Sequence, residues 1–259
     1  MISGLDPTQL TALRQQFELD GYVLLKGVVS PPRLAELTST LRRAYCDAVA
    51  SGSMFVGGGN VSGHLNCFPG EGSRFVWEAL RERGVLDFVQ SLSGAPLRLP
   101  NIGCNLNLPG SAQQNEHVDG YAASPFPIVN VAAVDTDLTN GATELLVGTH
   151  WQTSKYWQIA LQRPLRRRPS LAQGDALVRI STLWHHNMPN RSTEPRPMLA
   201  FTWEDGGSTQ PDPYAAHGGQ ITFLPNRFRT DWKGRLVERA FVTAPRLGTA
   251  YHIARSFFA

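Results

Sequence analysis

His117 and Asp119 are separated by one residue, so on a β-strand their side chains project from the same face and can offer an imidazole nitrogen and a carboxylate oxygen to one metal ion. Such a pair alone is a weak signal, since 7 histidines and 21 acidic residues in 259 positions generate about half of one by chance. Downstream, Gly174-Asp175 turns into an apolar run, Ala176 to Trp184, that ends in His185-His186, and Arg196 opens the next run. One histidine returning from there would complete a face of two histidines and one carboxylate. That face leaves three positions open on the metal, the arrangement used by non-heme Fe(II) oxygenases. An arginine one strand away could clamp a carboxylate through two parallel hydrogen bonds. His185 and His186 lie on opposite strand faces, and strand parity does not choose between them.

Holding such groups in register requires a β framework, and the chain supplies one. Its 259 residues are 42% hydrophobic and only 17% charged, with 24 Gly and 18 Pro dispersed throughout, which suits a turn-rich β architecture and argues against coiled coil or disorder. Asp6-Pro7 followed by Leu10, Leu13 and Phe17 predicts a first helix ended by Gly21, then a strand at Tyr22 to Leu25 and a helix from Ser30-Pro31 carrying Leu34, Leu37 and Leu41 on one face. Residues 57–72 read as a polar, glycine-rich loop, and Phe75 to Leu92 resumes helical spacing. Short strands follow at Leu97 to Leu108, Ile128 to Asp135, Thr143 to Val147, Ala176 to Leu183 and Pro197 to Trp203. A jelly roll with flanking helices closes such a set with few exposed edges. The expected organisation is a single domain with a helical preface (about 1–95), a jelly-roll core (about 96–205) and a C-terminal extension (206–259), in which 236–242 is helix or strand.

A formal charge of +3 is too small for a strong field toward nucleic acid or an anionic membrane. Cys46, Cys67 and Cys104, odd in number and widely spaced, suggest neither a disulfide framework nor a cysteine zinc site. The first 25 residues lack the basic stretch and apolar run of a signal peptide, so a cytoplasmic location is expected, with a small molecule as partner and no obligate protein partner.

The order and spacing of these residues resemble the phytanoyl-CoA dioxygenase branch of the Fe(II)/2-oxoglutarate oxygenases. The resemblance runs over most of the chain. It rests on Phe17 to Gly27 followed by Val28-Val29-Ser30-Pro31, on His117-x-Asp119, and on Asn140-Gly141-Ala142-Thr143 with Gly148-Thr149-His150. It closes with Trp184-His185, Pro189-Asn190-Arg191-Ser192 and Arg196, eleven positions after His185. The resemblance implies a double-stranded β-helix core, Fe(II) held by His117, Asp119 and His185, and 2-oxoglutarate and O2 as cosubstrates, with Arg196 on the distal carboxylate. Thr143 is implied as a second anchor for that carboxylate and Asn107 as a partner for the other end, although inward amides at Asn105 and Asn107 equally suit a structural network. Met198 stands where many wider relatives carry a hydroxyl residue, and the presence of Asp119 favours hydroxylation or another oxidation over halogenation.

Two other classes compete. A zinc hydrolase on the same ligands would need a base, and Glu116, the acidic residue just before the pair, faces the other side of the strand. A silent jelly-roll binding module would more naturally lack part of the triad or Arg196. For the oxygenase, Asn60, His64, Asn66 and Trp151 are the expected substrate contacts, because amides, imidazole and aromatic platforms suit the hydroxyls and faces of a sugar-containing natural product. The alternative is an acyl-CoA hydroxylase with the run Arg166-Arg167-Arg168 gripping a phosphate, unless that run is simply a solvated basic face.

Overall fold

The computed structural model describes residues 6–51, 62–121, 123–151, 154–224, 228, 231–244 and 246–258. Helix α1 (Pro7–Asp20) starts in a capping box: the Asp6 carboxylate accepts from the Thr8 and Gln9 amides while the Gln9 side chain accepts from Asp6 N–H. Gly21, at φ +82°, ends it and turns the chain into β1 (Tyr22–Leu25). Then follow α2 (Pro31–Ala50), β2 (His64–Phe68), α3 (Arg74–Glu82), α4 (Val85–Ser91), β3 (Asn101–Asn107), β4 (Gln113–Gln114), β5 (Pro127–Ala132) and β6 (Thr143–Leu146). The chain continues through α5 (Tyr156–Gln162), β7 (Arg166–Arg167), β8 (Ala176–Ile180), β9 (His185–Asn187), β10 (Arg196–Thr202), β11 (Thr222–Phe223), α6 (Trp232–Val242), β12 (Thr243–Ala244) and α7 (Leu247–Phe258).

A seven-stranded antiparallel sheet runs β1-β8-β5-β10-β3-β2-β11, and a small sheet, β7-β6-β9, faces it. This is the jelly-roll architecture the sequence predicts. The period-two alternation of the strands divides their side chains between two environments. Val23, Val129, Val178, Leu199 and Phe201 face α1 to α4 and form the main core with Leu34, Leu37, Leu41, Leu80 and Phe88. Their neighbours in sequence, among them Arg179, Arg196 and Met198, line a cavity on the other side of the large sheet.

Three expectations change. Residues 64–68, read as loop, form β2, paired with β3 in the register Cys67↔Cys104. The helical run from Phe75 is broken at Gly84, at φ +71°, into α3 and α4. The strand from Ala176 stops at Ile180, and a turn through Ser181 carries the chain across to the small sheet before His185. In the C-terminal extension, 236–242 is helix. Its strand β12 pairs with β4, and the Asn115 amide donates to Val242 O at 2.7 Å, bracing the segment that leads to His117. All three cysteines are unbridged, and no helix among the described residues is long and apolar enough to cross a membrane.

Gly174-Asp175 locks this corner. A Cβ at Gly174, at φ +93°, would collide with the Val29 carbonyl, whereas the buried Asp175 carboxylate accepts from Gly27 N (2.8 Å), Ala172 N (2.9 Å) and Lys26 Nζ (2.7 Å). Burial alone would raise its pKa, and those donors outweigh it, holding the carboxyl below the usual value. Asp175→Ala is expected to cost about 2–3 kcal/mol in urea unfolding at neutral pH, since two backbone donors lose a charged acceptor. Because the folded-state pKa is depressed, that contribution is present above the unfolded pKa and disappears as pH falls through the folded value. Wild type and variant should therefore converge in stability on acidification below the ordinary carboxylate range.

Candidate metal centre

His117 and His185, 68 positions apart, pair as an isolated antiparallel bridge, each backbone N–H donating to the other's carbonyl at 3.0 Å. Beyond this bridge the chain bends, and Asp119 N donates to Ser181 O at 2.9 Å. The result is convergence: one donor atom from each of His117, Asp119 and His185 lies within 4.8 Å of the others, a grouping that could hold a metal ion. His117 Nε2 is 3.8 Å from Asp119 Oδ1, and His185 Nε2 is 3.4 Å from Asp119 Oδ2.

The surroundings prepare these atoms for coordination. His117 Nδ1 lies 2.8 Å from Asn115 O and His185 Nδ1 lies 2.9 Å from Leu183 O, which fixes Nδ1 as the protonated nitrogen and leaves the lone pair on Nε2. Burial, then the nearby Arg179 charge, pushes the His185 pKa well below its usual value, so the ring is neutral and can donate a lone pair to a metal. For Asp119 burial acts to raise the pKa, but Arg179 and the two imidazoles outweigh it and hold the carboxyl well below the usual range. Two imidazole nitrogens and an ionised carboxylate fit a divalent iron site.

His186 is not part of this face. It points the other way, its Nδ1 2.9 Å from Gln114 O and its Nε2 2.8 Å from the buried Glu144 carboxylate. Glu144 also accepts from Arg166 (2.7 Å) and Arg168 (2.6 Å), and Arg166 reaches Glu116 at 2.6 Å. Two members of the basic run are thus consumed in internal ion pairs, and Glu116 is tied away from the three donors.

The donors open into a cavity of about 640 Å³ between the sheets. Arg196, on β10 and 1% exposed, lines it. Its Nη2 donates to Gly141 O at 3.0 Å, while its buried Nε has no partner, so a donor of a charged group awaits an acceptor. Burial lowers its pKa to about 10, which leaves it cationic at neutral pH. A carboxylate is the natural complement. Thr143 also lines the cavity, its hydroxyl donating to Asn187 Oδ1 at 2.8 Å.

Other expected contacts fare unevenly. Asn66 lines the cavity and accepts from Asn105 at 2.9 Å. Asn107 does not: fully buried, it donates to Met188 O (2.9 Å) and Gly141 O (3.4 Å) and accepts from Ser111, so it belongs to the structural network. His64 is also fully buried away from the lining, bonded through Nε2 to Ala112 O at 2.8 Å, and burial lowers its pKa to about 4. Trp151 is 65% exposed beside His150 and outside the lining. Asn60 lies outside the described residues. Arg179, which the sequence offers with Arg191 only as a fallback for Arg196, lies near the donors, and residues the sequence does not single out include Asn130, with Glu204, Ser208, Gln210 and His217 from the segment after β10.

Several solved structures share the fold. The epimerase SnoN, in complex with Fe3+, alpha ketoglutarate and nogalamycin RO, is 21% identical with a TM-score of 0.58, covering 76% of this chain and 84% of SnoN. AviO1 from Streptomyces viridochromogenes Tue57 is 16% identical with a TM-score of 0.61, covering 81% of this chain and all of AviO1. The alpha ketoglutarate dependent carbocyclase SnoK from nogalamycin biosynthesis is 12% identical with a TM-score of 0.59, over 82% and 95% of the two chains. At these identities the likeness concerns the fold. The sequence itself matches the family described as Phytanoyl-CoA dioxygenase (PhyH) over residues 17–198, more than half of the chain. That match runs from α1 into β10 and takes in His117, Asp119, His185 and Arg196, so the chain belongs to the phytanoyl-CoA dioxygenase family of non-heme iron, 2-oxoglutarate-dependent enzymes.

Proposed function

We propose that this enzyme oxidises an unactivated C–H bond, by hydroxylation or oxidative ring closure, in a polar natural product or sugar-containing intermediate. The observation that carries the reading is one cavity holding both a two-histidine, one-carboxylate face and a buried guanidinium with an unsatisfied donor. In this reading His117 and His185 bind Fe(II) through Nε2 and Asp119 through its carboxylate. Arg196 takes the distal carboxylate of 2-oxoglutarate, with Thr143 beside it. When bound, the iron with 2-oxoglutarate and O2 supplies the oxidising power, releasing succinate and carbon dioxide. The protein contributes placement, since backbone carbonyls aim the imidazoles.

The polar substrate is supported by Asn66, Asn101, Thr202 and Gln210 on the cavity wall, which suit hydroxyls better than an acyl chain. SnoN, crystallised with nogalamycin RO, and SnoK, from nogalamycin biosynthesis, are in keeping with a natural-product substrate. An acyl-CoA hydroxylase is less supported, since Arg166 and Arg168 are engaged by Glu144.

Anaerobic addition of Fe(II) and then 2-oxoglutarate to the apo protein should produce a weak visible charge-transfer band; its absence would return the field to a hydrolase or a binding module. His185→Ala should abolish that band, whereas His186→Ala should keep it and instead lose about 1–3 kcal/mol of stability through the buried Glu144 contact. Arg196→Lys should raise the half-saturating 2-oxoglutarate concentration about ten- to a hundredfold with little change in iron affinity, because a point-like ammonium does not reproduce the guanidinium fork. Succinate release above the uncoupled background should respond to oligosaccharide or aminoglycoside intermediates rather than to long-chain acyl-CoAs, and stimulation by the acyl-CoAs alone would overturn the substrate class.

A further inference from the structure

Arg179 is the second guanidinium buried between the sheets. It sits on β8 and is 6% exposed. Two of its three nitrogens are committed: Nε donates to Asn130 Oδ1 at 3.1 Å, and Nη2 donates to Asp119 Oδ2. These two bonds fix the plane of the group. The third nitrogen, Nη1, is buried, has no hydrogen-bond partner among the described residues, and belongs to a residue that lines the cavity beside the three donor atoms. In strand register Arg179 lies between Ile128 on β5 and Tyr22 on β1.

A planar guanidinium with one arm on Asp119 can direct a neighbouring arm toward a group held beside Asp119. We propose that Nη1 of Arg179 hydrogen-bonds the metal-bound carboxylate of 2-oxoglutarate, making Arg179 a cosubstrate-binding residue for the 2-oxo acid end as Arg196 is for the distal end. The assignment rests on the reading under Proposed function. The chemistry favours the cosubstrate over the prime substrate as the acceptor. A carbon to be oxidised stays outside the coordination sphere, whereas the 2-oxo acid end is an anion that enters it. A dicarboxylate then meets one guanidinium at each end, and each of the two orphaned buried donors, Nη1 of Arg179 and Nε of Arg196, gains an acceptor.

Oxalate isolates the proposed contact, because it chelates a metal through carboxylate oxygens and has no chain to reach Arg196. Calorimetry on the Mn(II)-loaded protein, without turnover, should show Arg179→Gln weakening both oxalate and 2-oxoglutarate by about ten- to a hundredfold, the loss of one charge-assisted hydrogen bond. Arg196→Gln should weaken 2-oxoglutarate and leave oxalate within about twofold. Mn(II) itself should bind Arg179→Gln at least as tightly as wild type, since a neighbouring positive charge has been removed. Oxalate affinity unchanged in Arg179→Gln would overturn the proposal and reduce Arg179 to a neighbour of Asp119. Wild-type protein that takes Mn(II) but neither oxalate nor 2-oxoglutarate would instead overturn the functional reading beneath it. If Arg179→Gln does not fold by circular dichroism, Arg179→Lys carries the same comparison, with a loss of oxalate affinity expected and an unchanged affinity decisive against the proposal.

Discussion

Two reciprocal backbone hydrogen bonds between His117 and His185 hold the site together, because they set the register in which three side chains from separate parts of the chain converge. A slip of one residue would exchange His185 for His186 and turn a potential ligand away from the cavity. The opposite face of the small sheet guards against this. There His186 is clamped between Gln114 O and Glu144, and Glu144 is held in turn by Arg166 and Arg168. Burial acts to raise the Glu144 pKa, but the hydrogen bonds from His186 and the two arginines outweigh it and bring it down to about 2, so the clamp stays ionised well into the acid range. A buried ion cluster of this kind is weak evidence for added stability. Its value here is that one register alone satisfies it.

The second constraint is charge. Arg179 and Arg196 are both buried on the inner side of the large sheet, and Asp119 is the carboxylate that meets one of them, while Glu204 lies exposed at the cavity wall. An unsatisfied buried donor costs about 1–3 kcal/mol, and a charged one more. The fold carries two of these, at Nη1 of Arg179 and Nε of Arg196, within one cavity. Binding an anion there would offset that cost, so part of the affinity would be prepared during folding.

Much of this was legible in the sequence. Asp6-Pro7 and Gly21 mark the ends of α1 through local hydrogen bonding and backbone geometry, and the His117-x-Asp119 pair and Arg196 could be found from residue type and spacing, although the pair lies at a bridge and a bend instead of along a strand. Other features depended on tertiary neighbours. Residues 64–68 contain no β-branched residue and follow a glycine-rich stretch, so nothing local signals the strand that β3 and β11 impose on them. Asn107 and His64 carry groups suited to a ligand, yet buried backbone carbonyls claim them first. The place of Arg179 beside Asp119 was not legible, because it depends on the turn through Ser181 that meets the Asp119 backbone, and a charge within an apolar strand was the available hint.

The family match also divides the cavity. It ends at residue 198, and the proposed metal ligands and Arg196 all fall within it. Ala200, Thr202, Glu204, Ser208, Gln210, Pro213, Ala216, His217 and Leu224 line the same cavity from beyond that point, on the end of β10 and the segment that leads into and past β11. Alternation along β10 makes the division physical: Arg196 and Met198 face the inner part of the cavity, and Ala200 and Thr202 continue the same face outward into this later segment. Iron and cosubstrate impose the same geometric demands whatever is oxidised, so their holders can be shared across a family. A substrate must instead be recognised by the wall it alone touches. Family membership therefore constrains the chemistry of this enzyme more tightly than its substrate, and the polar side chains of the cavity wall, Thr202 and Gln210 after residue 198 together with Asn66 and Asn101 before it, are where discrimination between substrates would be written.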